Sequence, residues 1–359
     1  MKDNISIAKG IAILLMVVGH SGIKWDIPIL FKVINLFHMP LFIFAAGYCF
    51  KWTYVNNFKS FLWKRILGLW WPYVKYGVIF LLLHNVFFHL NIYNDSYGAV
   101  GSADVSVLYG PVDFLKKTFR LVVMSNTEQL LGGFWFLKTL FWGSIFALLS
   151  LKFFCHFEFF TLNKRLSAVV SASFFLILSV IFSGLSLQIP VVEIGLKEFL
   201  AAFFFLFGLF FGQKEFAGKT FYTVVFLIAV LGGGILFEDV VSMLNCKTWQ
   251  IIPYCFFAIM GIIAVFNISN MLESKASKIK FFLVFAGCNT LIILTWHFLC
   301  FKLVSLVRIV CENKSMLELA SFPVIPGAKM WSVAYVFVGV AIPLMIAKLK
   351  QNCKIKEMM

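Results

Sequence analysis

A succession of long apolar runs constrains this chain more than any other feature of its sequence. The hydrocarbon core of a bilayer is about 30 Å thick and takes about 20 apolar residues as a helix, which satisfies every backbone hydrogen bond internally. The runs predict about ten membrane spans. Their approximate bounds are 5–23, 30–50, 66–90, 134–151, 166–187, 198–213, 220–237, 250–267, 281–304 and 331–347. The predicted fold class is therefore all-α, a polytopic integral membrane helical bundle.

The composition supports this fold class. Hydrophobic residues make up 61% and charged residues 13% of the 359 residues, a balance that one soluble core cannot hide. The formal charge of +15 is carried by short basic clusters between apolar runs, which is typical of membrane proteins rather than of nucleic-acid binding. Neither an internal repeat nor a soluble module is apparent, so residues 1–359 are predicted to form a single membrane-embedded domain. The first run lacks a small-residue cleavage site and is expected to remain in the mature protein.

The distribution of basic residues predicts the orientation of the bundle. An even number of spans places both termini on one side, and the connections on that side, such as 51–65 and 275–280, are the richest in lysine and arginine. By the positive-inside rule both termini are cytoplasmic, which predicts a multi-pass protein of the cell (inner) membrane. The longest connection, 91–133, then lies outside. Its stretch 112–123 mixes apolar and basic residues, as an interfacial helix does.

Motifs of soluble enzymes are absent from the sequence. It has no glycine-rich phosphate loop, no HExxH and no GxSxG. None of the eight cysteines has metal-ligand spacing, so their default role is that of small buried hydrophobic residues. Cys246 and Cys311 both fall in predicted outer loops, where an oxidising compartment would allow a disulfide.

The first apolar run carries two residues that are costly in a membrane, Lys9 and His20. Eleven positions at about 100° each amount to roughly 20° beyond three turns, and at about 1.5 Å per residue the two side chains lie ~16 Å apart on one stripe. This helix therefore presents a cation near one membrane surface and an imidazole toward the other. The alternative is a lysine that reaches to the interface and a histidine that is hydrogen-bonded to a neighbouring helix.

Two further histidines, His38 and His297, lie in the second and ninth predicted spans. With the topology above, both share the outer half of the membrane with His20. Three imidazoles at similar depth predict one polar cavity, and imidazole is well suited to accept and return a proton near neutral pH. Taken singly, each is more simply interpreted as a histidine hydrogen-bonded inside the bundle. A zinc site is another interpretation, but these helices supply no partner at i+3 or i+4, so no metal site is predicted.

Cations and aromatic residues alternate in 58–66, ahead of the third span, and Lys64 and Arg65 are the last cations of this segment. Such a pattern usually anchors a helix at the membrane surface. It also suits a nucleotide-like ligand, because arginine and lysine complement phosphate and aromatic faces stack on bases. The residues alone leave both interpretations open.

These motifs together resemble a known family. They are Lys9 and His20 with ten residues between them, Phe37-His38-Met39-Pro40-Leu41-Phe42 followed by Gly47-Tyr48, Lys64-Arg65 before Pro72-Tyr73, Trp135-Phe136-Leu137 and Trp296-His297. On these residues the chain resembles the integral-membrane acyltransferase family 3. Within that family it is most similar to the fucose 4-O-acetylase-like, polysaccharide O-acetyltransferase branch.

The resemblance implies a membrane-bound O-acyltransferase. Members take an acyl group, commonly acetyl from cytoplasmic acetyl-CoA, and deliver it to a hydroxyl of an extracytoplasmic or lipid-linked sugar in a cell-surface polysaccharide. The implied partners are acetyl-CoA, a glycan acceptor and membrane lipid, with no tightly bound cofactor. His20 is implied as the essential histidine and Lys9 as its basic companion. Two positions depart from the family pattern: Ser6 stands where many members have an acidic residue, and Ala45-Ala46-Gly47 stands where many have Phe-Ser-Gly.

The resemblance and the residue chemistry give an expected mechanism along the first helix. The phosphates of acetyl-CoA are expected near Lys64, Arg65 and Lys9, with the pantetheine arm on the stripe that leads to His20. His20 is expected to act as general base on the sugar hydroxyl as it attacks the thioester. A covalent acyl-histidine relay is the variant of this mechanism.

Three other residues receive roles from their type and position. His38 and His297 are expected to orient His20 or to stabilise the oxyanion, and Trp135 to stack on a sugar ring. The main competing interpretation is a membrane transporter or flippase for a glycan precursor or a small anionic solute, since charged residues at membrane depth also mark transport pathways. An internal repeat with matched broken helices would favour that alternative, and the sequence shows none.

Overall fold

The computed structural model describes residues 3–98, 105–125, 128–212, 220–327 and 330–358. The first part of the chain forms α1 (Asp3–His20), α2 (Ile23–Asp26), α3 (Pro28–Tyr48), α4 (Thr53–Asn56), α5 (Phe58–Arg65), a π-helix (Ile66–Trp70), α6 (Trp71–Leu82), α7 (His84–His89) and α8 (Pro111–Val122). Next come a 3-10 turn (Gln129–Phe134), α9 (Trp135–Phe154), α10 (Glu158–Leu162), α11 (Lys164–Gly184), α12 (Leu196–Phe211) and α13 (Thr220–Leu236). The last part forms a 3-10 turn (Thr248–Gln250), α14 (Ile251–Glu273), α15 (Lys278–Cys288), α16 (Thr290–Glu312), a 3-10 turn (Met316–Ala320) and α17 (Trp331–Met358).

Seven helical segments within the described ranges are long and apolar enough to cross a membrane. They are Asp3–His20, Pro28–Tyr48, Gln129–Phe154, Lys164–Gly184, Thr248–Glu273, Thr290–Glu312 and Trp331–Gln351. α13 is apolar as well but shorter, with 17 residues. The predicted all-α, multi-pass membrane bundle is confirmed at this level. The count of ten spans and the cytoplasmic position of the termini stay predictions.

Two of the predicted spans are interrupted in the structure. The span predicted at 66–90 consists of the π-helix, α6 and α7. Pro72 explains the first irregularity, because it has no N–H for the carbonyl four residues earlier. The span predicted at 281–304 is divided between α15 and α16 at Asn289. There the side-chain amide of Asn289 donates to the carbonyl of Phe285 at 2.8 Å. It thereby competes with backbone N–H groups for this acceptor.

The central helix of the bundle is α1, which contacts α3, α14, α15, α16 and α17. Its approach to α15 is close because glycines remove the side chains between the two backbones. A Cβ atom added to Gly10 would lie 2.1 Å from the carbonyl oxygen of Leu283. One added to Gly287 would lie 1.8 Å from the carbonyl oxygen of Ser6. Such small-residue contacts let membrane helices pack backbone to backbone, and here they hold α1 against the segment that leads into α16.

Both described ends of the chain lie at the same end of the bundle. α1 begins where Lys280 pairs with Asp3, with 3.1 Å between Nζ and Oδ2. α17 begins at the other end, where the Ser332 hydroxyl donates to the Asp26 carboxylate at 2.5 Å, and then runs back past Val17. We call the end with Asp3 the terminal end and the end with Asp26 the opposite end.

At the opposite end, the connection after α16 folds back onto that helix. The buried Lys302 ammonium donates to the carbonyls of Leu319 and Ser321 at 2.8 Å each. The buried Arg308 guanidinium donates to three consecutive carbonyls, those of 325–327. Hydrogen bonds from charged donors are stronger than neutral ones, so these two side chains fasten the connection to α16.

The common position of the termini makes the predicted orientation testable. A reporter that works only in the cytoplasm, fused after Met359, is expected to be active, because the positive-inside rule places the terminal end there. The same reporter inserted between residues 99 and 104, which lie outside the described ranges, is expected to be silent. Equal activity of the two fusions would contradict the predicted orientation and the shared outer depth of the three histidines.

Candidate active site

The last residue of α1 and the middle of α16 bring two histidines together. His20 Nδ1 lies 3.1 Å from His297 Nε2, and the rings are nearly parallel, with 5.3 Å between centroids and 15° between planes. His297 is fully buried, whereas His20 is half-buried with the ring of Phe298 at 4.8 Å. The two histidines are 277 positions apart in the chain. Packing of α1 against the α15–α16 segment is therefore what forms the pair.

Backbone carbonyls fix the direction of the hydrogen bond between the two rings. His297 Nδ1 lies 3.0 Å from the carbonyl oxygens of Ile293 and Leu294, which only accept, so this nitrogen carries the proton. In neutral His297 the other nitrogen, Nε2, is then an acceptor, and His20 Nδ1–H donates to it. The network leaves His20 Nε2 with a free lone pair, as the basic nitrogen of the pair.

His38 lies in α3, within electrostatic range of His20. It is buried, and its Nδ1 donates to the carbonyl of Ile34 at 2.7 Å. Its Nε2 is therefore an acceptor in the neutral ring, and only a protonated His38 can donate to an oxyanion. The structure thus brings His20 and His297 into direct contact and places His38 in their neighbourhood.

A cavity of about 410 Å³ opens among α1, α3, α5, α9 and α16. Much of its wall is apolar, with Ile13, Phe42, Phe136, Leu137, Leu140 and Leu291 among the lining residues. Its inner end is formed by Met16, Met39 and Leu294. Met16 stands about one helical turn before His20 in α1, and Leu294 stands about one turn before His297 in α16. The cavity therefore stops about one turn short of the histidine pair.

Three cations, Lys9, Lys64 and Arg65, line the mouth of this cavity. Lys64 Nζ donates to the Tyr54 hydroxyl at 2.6 Å, and the Arg65 guanidinium lies over the ring of Phe61 at 4.6 Å. Within the described part of the chain, none of the three cations pairs with a carboxylate. A mouth with three uncompensated positive charges favours an anionic ligand.

Ser6, which departs from the family pattern near Lys9, supplies no charge. It is buried, and its hydroxyl accepts a hydrogen bond from Cys288 Sγ at 3.8 Å. Lys9 itself lines the cavity together with Cys49. Among the described residues, the Lys9 ammonium thus meets the cavity without a carboxylate companion.

Trp135 is the first residue of α9 and stands beside the cavity wall rather than in it. It is half-buried and contacts the ring of Phe136 edge-on, with 6.4 Å between centroids. Its neighbours Phe136 and Leu137 line the cavity instead. Sugar stacking by Trp135 therefore stays a prediction.

Two alternatives raised by the sequence concern cysteines and metal. Cys246 is buried, Cys311 is exposed, and both thiols are free, so the disulfide considered between them is not formed. Across the described ranges, no three histidine, cysteine, aspartate or glutamate side chains converge as a metal site.

Sequence reasoning missed a buried histidine–glutamate pair near the opposite end. His84 Nδ1 lies 2.9 Å from a carboxylate oxygen of Glu128, and its Nε2 lies 2.9 Å from the carbonyl oxygen of Val107. The His84 ring stacks on Tyr109 with 3.4 Å between centroids. Both ring nitrogens of His84 thus lie within hydrogen-bond distance of oxygen atoms. Two features of the sequence could have indicated this pair. One is a histidine inside a predicted span, and the other is a glutamate just before Gln129-Leu130-Leu131-Gly132-Gly133.

This pair anchors one wall of the candidate site. Glu128 directly precedes the 3-10 turn at 129–134, and Gly133 of that turn lies against α16. A Cβ atom added to Gly133 would lie 2.7 Å from Leu294 Cδ1 and 4.0 Å from His297 Cε1. The His84–Glu128 pair therefore holds the turn that packs on His297.

The arrangement has the parts needed to transfer a group from an anionic donor: a cationic mouth, an apolar channel and a basic imidazole beyond it. Comparison with protein-family models matches residues 2–348 to the Acyltransferase domain family, Acyl_transf_3. Comparisons with curated proteins and with solved structures return no match. Because the family model covers nearly the whole chain, this membrane protein belongs to acyltransferase family 3.

Proposed function

We propose that this membrane acyltransferase moves an acetyl group from cytoplasmic acetyl-CoA to a hydroxyl of an extracytoplasmic or lipid-linked sugar, as an O-acetyltransferase of the cell envelope. One observation carries the proposal. The hydrogen-bonded pair of His20 and His297 lies just past the inner end of a cavity whose mouth is lined by Lys9, Lys64 and Arg65. A base and an anion-binding mouth on one path are what transfer from a phosphate-bearing thioester requires.

The donor is proposed to enter at the cationic mouth. Its phosphates contact Arg65 and Lys64, and its adenine stacks on the aromatic ring of Tyr54, which lines the same mouth. The apolar walls hold the pantetheine arm and direct it along α1. At 1.5 Å per residue, His20 lies about 16 Å beyond the Lys9 position, so an extended arm rather than the nucleotide must reach the histidine pair.

The chemical step balances with His20 as general base. His20 Nε2 takes the proton of the acceptor hydroxyl while the hydroxyl oxygen attacks the thioester carbonyl carbon. The tetrahedral oxyanion collapses, the C–S bond breaks, and the new C–O bond remains as an ester. The proton on His20 then passes to the departing CoA thiolate. The products are the acetylated sugar and CoA with a free thiol, and His20 returns to its neutral form.

His297 is proposed to hold His20 ready for this step. By accepting from His20 Nδ1–H it keeps the lone pair on Nε2, and it supports the imidazolium that forms, as the third group of a catalytic triad does. The carbonyls of Ile293 and Leu294, each 3.0 Å from His297 Nδ1, accept its proton in hydrogen bonds and so keep His297 in the tautomer that accepts from His20. His297 is thus a positioning residue rather than the base.

Mass spectrometry of cell-surface glycans tests the proposed function. Cells with the wild-type gene are expected to carry acetylated glycan, whereas cells without the gene and cells with the His20→Ala variant are expected to lack it. Proteoliposomes supplied with acetyl-CoA labelled in the acetyl group test the donor by transfer of the label. Equal acetylation in all three strains would overturn the proposal.

Replacing Lys64 and Arg65 together with glutamine is expected to raise the KM for acetyl-CoA at least tenfold. A charged hydrogen bond to phosphate is worth on the order of 1.5 to 3 kcal/mol, and this variant loses two. Initial rates at varied acetyl-CoA measure the effect. The matched control is Lys164→Gln with Arg165→Gln, an exposed pair at the start of α11 that should leave KM unchanged. An unchanged KM in the first variant would return Lys64 and Arg65 to the role of interfacial anchors.

A further inference from the structure

The helix α8 presents an apolar strip and a basic strip side by side. Its exposed apolar residues are Val112, Leu115, Phe119 and Val122. Lys116 and Arg120, one turn apart on the adjoining face, are exposed as well. On its inner side, α8 packs Leu121 against Gly77 of α6. A helix with this pattern lies at a membrane interface, with its apolar strip toward the acyl chains and its cations at headgroup level.

Two cavities adjoin beside α8. The first, about 340 Å³, is lined by apolar and aromatic side chains that include Ile66, Trp70, Phe141, Trp142 and Val192. The second, about 760 Å³, is lined in part by Lys116, Lys117 and Arg120. Val123 lines both cavities, so an apolar cavity and a basic cavity adjoin at this residue. We call the two cavities together the α8 groove.

The basic end of the α8 groove has positive charge that its acidic residues do not neutralise. The Asp113 carboxylate accepts a backbone N–H at 3.0 Å, and the Glu193 carboxylate lies 3.5 Å from the Lys138 ammonium. Within the described ranges, Lys116 and Arg120 have no ion-pair partner. These two cations are therefore available to an anion from outside the chain.

The apolar end of the α8 groove contains an unsatisfied donor. The indole N–H of Trp142 is buried and has no hydrogen-bond acceptor among the described residues. Buried indole N–H groups usually have a partner, because a lost hydrogen bond to water costs free energy.

We propose that the α8 groove binds a membrane lipid with a phosphate headgroup, its chain in the apolar cavity and its phosphate between Lys116 and Arg120. The cations select an anionic headgroup, and the apolar cavity selects a lipid over free phosphate. The groove lies across the π-helix from the donor cavity, since Ile66 and Trp70 line the groove whereas Arg65 lines the donor cavity. The inference does not rest on the proposed function, because lipid binding needs no transfer reaction.

Native mass spectrometry of the purified full chain, with phosphatidylglycerol as the probe, tests this inference. The wild-type protein is expected to retain phosphatidylglycerol more tightly than phosphatidylcholine, whose choline offsets the phosphate charge. The Lys116→Gln, Arg120→Gln double variant is expected to bind phosphatidylglycerol roughly tenfold more weakly. The matched control is the Lys164→Gln, Arg165→Gln variant, which removes the same charge elsewhere and should bind as the wild type does.

A second variant tests the apolar end of the groove without changing charge. Val192→Trp fills the apolar cavity and is expected to weaken phosphatidylglycerol binding while the melting temperature stays near that of the wild type. Excess inorganic phosphate is expected to leave the bound lipid in place. Displacement of the lipid by inorganic phosphate, or equal affinity of the wild-type and Lys116→Gln, Arg120→Gln proteins for phosphatidylglycerol, would overturn the proposal.

Discussion

The His20→Ala variant is expected to transfer acetyl groups with a kcat roughly 10²- to 10⁴-fold below that of the wild type, the usual effect of losing a general acid–base group. His20→Gln is expected to be nearly as inactive, because its amide keeps hydrogen-bonding capacity but takes no proton. Protein levels in the membrane should match the wild type for both variants. Initial rates with labelled acetyl-CoA and a quantitative membrane blot provide the two measurements.

The controls for His20 use other histidines and a shifted imidazole. His89 and His156 are exposed, so His89→Gln and His156→Gln should leave the rate unchanged. Moving the imidazole by one position, as Gly19→His with His20→Gly, turns it about 100° around α1 and away from His297. The backbone at Gly19 has room for a side chain, since an added Cβ would lie 3.6 Å from Ile34 Cγ2, yet activity should not return. Near-normal transfer by His20→Gln would refute the catalytic role and leave the fold assignment standing.

His297→Phe is expected to lower kcat on the order of 10²-fold while the KM for acetyl-CoA stays near the wild-type value. The phenyl ring fills the buried space but accepts no hydrogen bond from His20 Nδ1–H, so the basic lone pair is no longer held on Nε2. His297→Gln should recover part of the lost rate, because its side-chain oxygen can accept that hydrogen bond. Steady-state kinetics of the two variants measure the effects on kcat and KM separately, and their melting temperatures show whether the fold is retained.

The same substitution thus separates the two histidines by role. Glutamine is expected to inactivate at His20, where a proton must be taken, and to be partly tolerated at His297, where a hydrogen bond must be accepted. A His297→Phe enzyme with wild-type kcat would show that the pair seen at 3.1 Å is a packing contact without a part in transfer.

Much of the architecture was predictable because bilayer thickness and backbone hydrogen bonding leave few choices for long apolar runs. Interruptions inside the runs were harder to predict. Pro72 offered a visible signal for the break near the π-helix, but Asn289 is only one of several polar residues in the span predicted at 281–304. Its effect depends on a side-chain hydrogen bond to the Phe285 carbonyl that a residue pattern does not show.

The candidate site was predictable only where its residues share one helix. Helical periodicity alone places Lys9 and His20 on one stripe, and Lys9 does line the cavity that leads toward the histidine. The contact of His20 with His297 spans 277 residues and depends on how α1 packs against α15 and α16, so periodicity cannot specify it. The His84–Glu128 pair joins a helix to a long connection, and no local pattern links the two positions.

The three side chains at the inner end of the cavity have a consequence for the electrochemical proton gradient across the membrane. Met16, Met39 and Leu294 are buried and apolar, and they separate the cavity from the histidine pair. A titratable ring joined by continuous water to the cytoplasm on one side and to the exterior on the other would conduct protons and dissipate the electrochemical gradient. Apolar side chains do not bind or carry a proton. The flexible thioether side chains of the two methionines can move aside for an acyl arm and return afterwards. The proposed transfer from a thioester is thereby compatible with an ion-tight membrane.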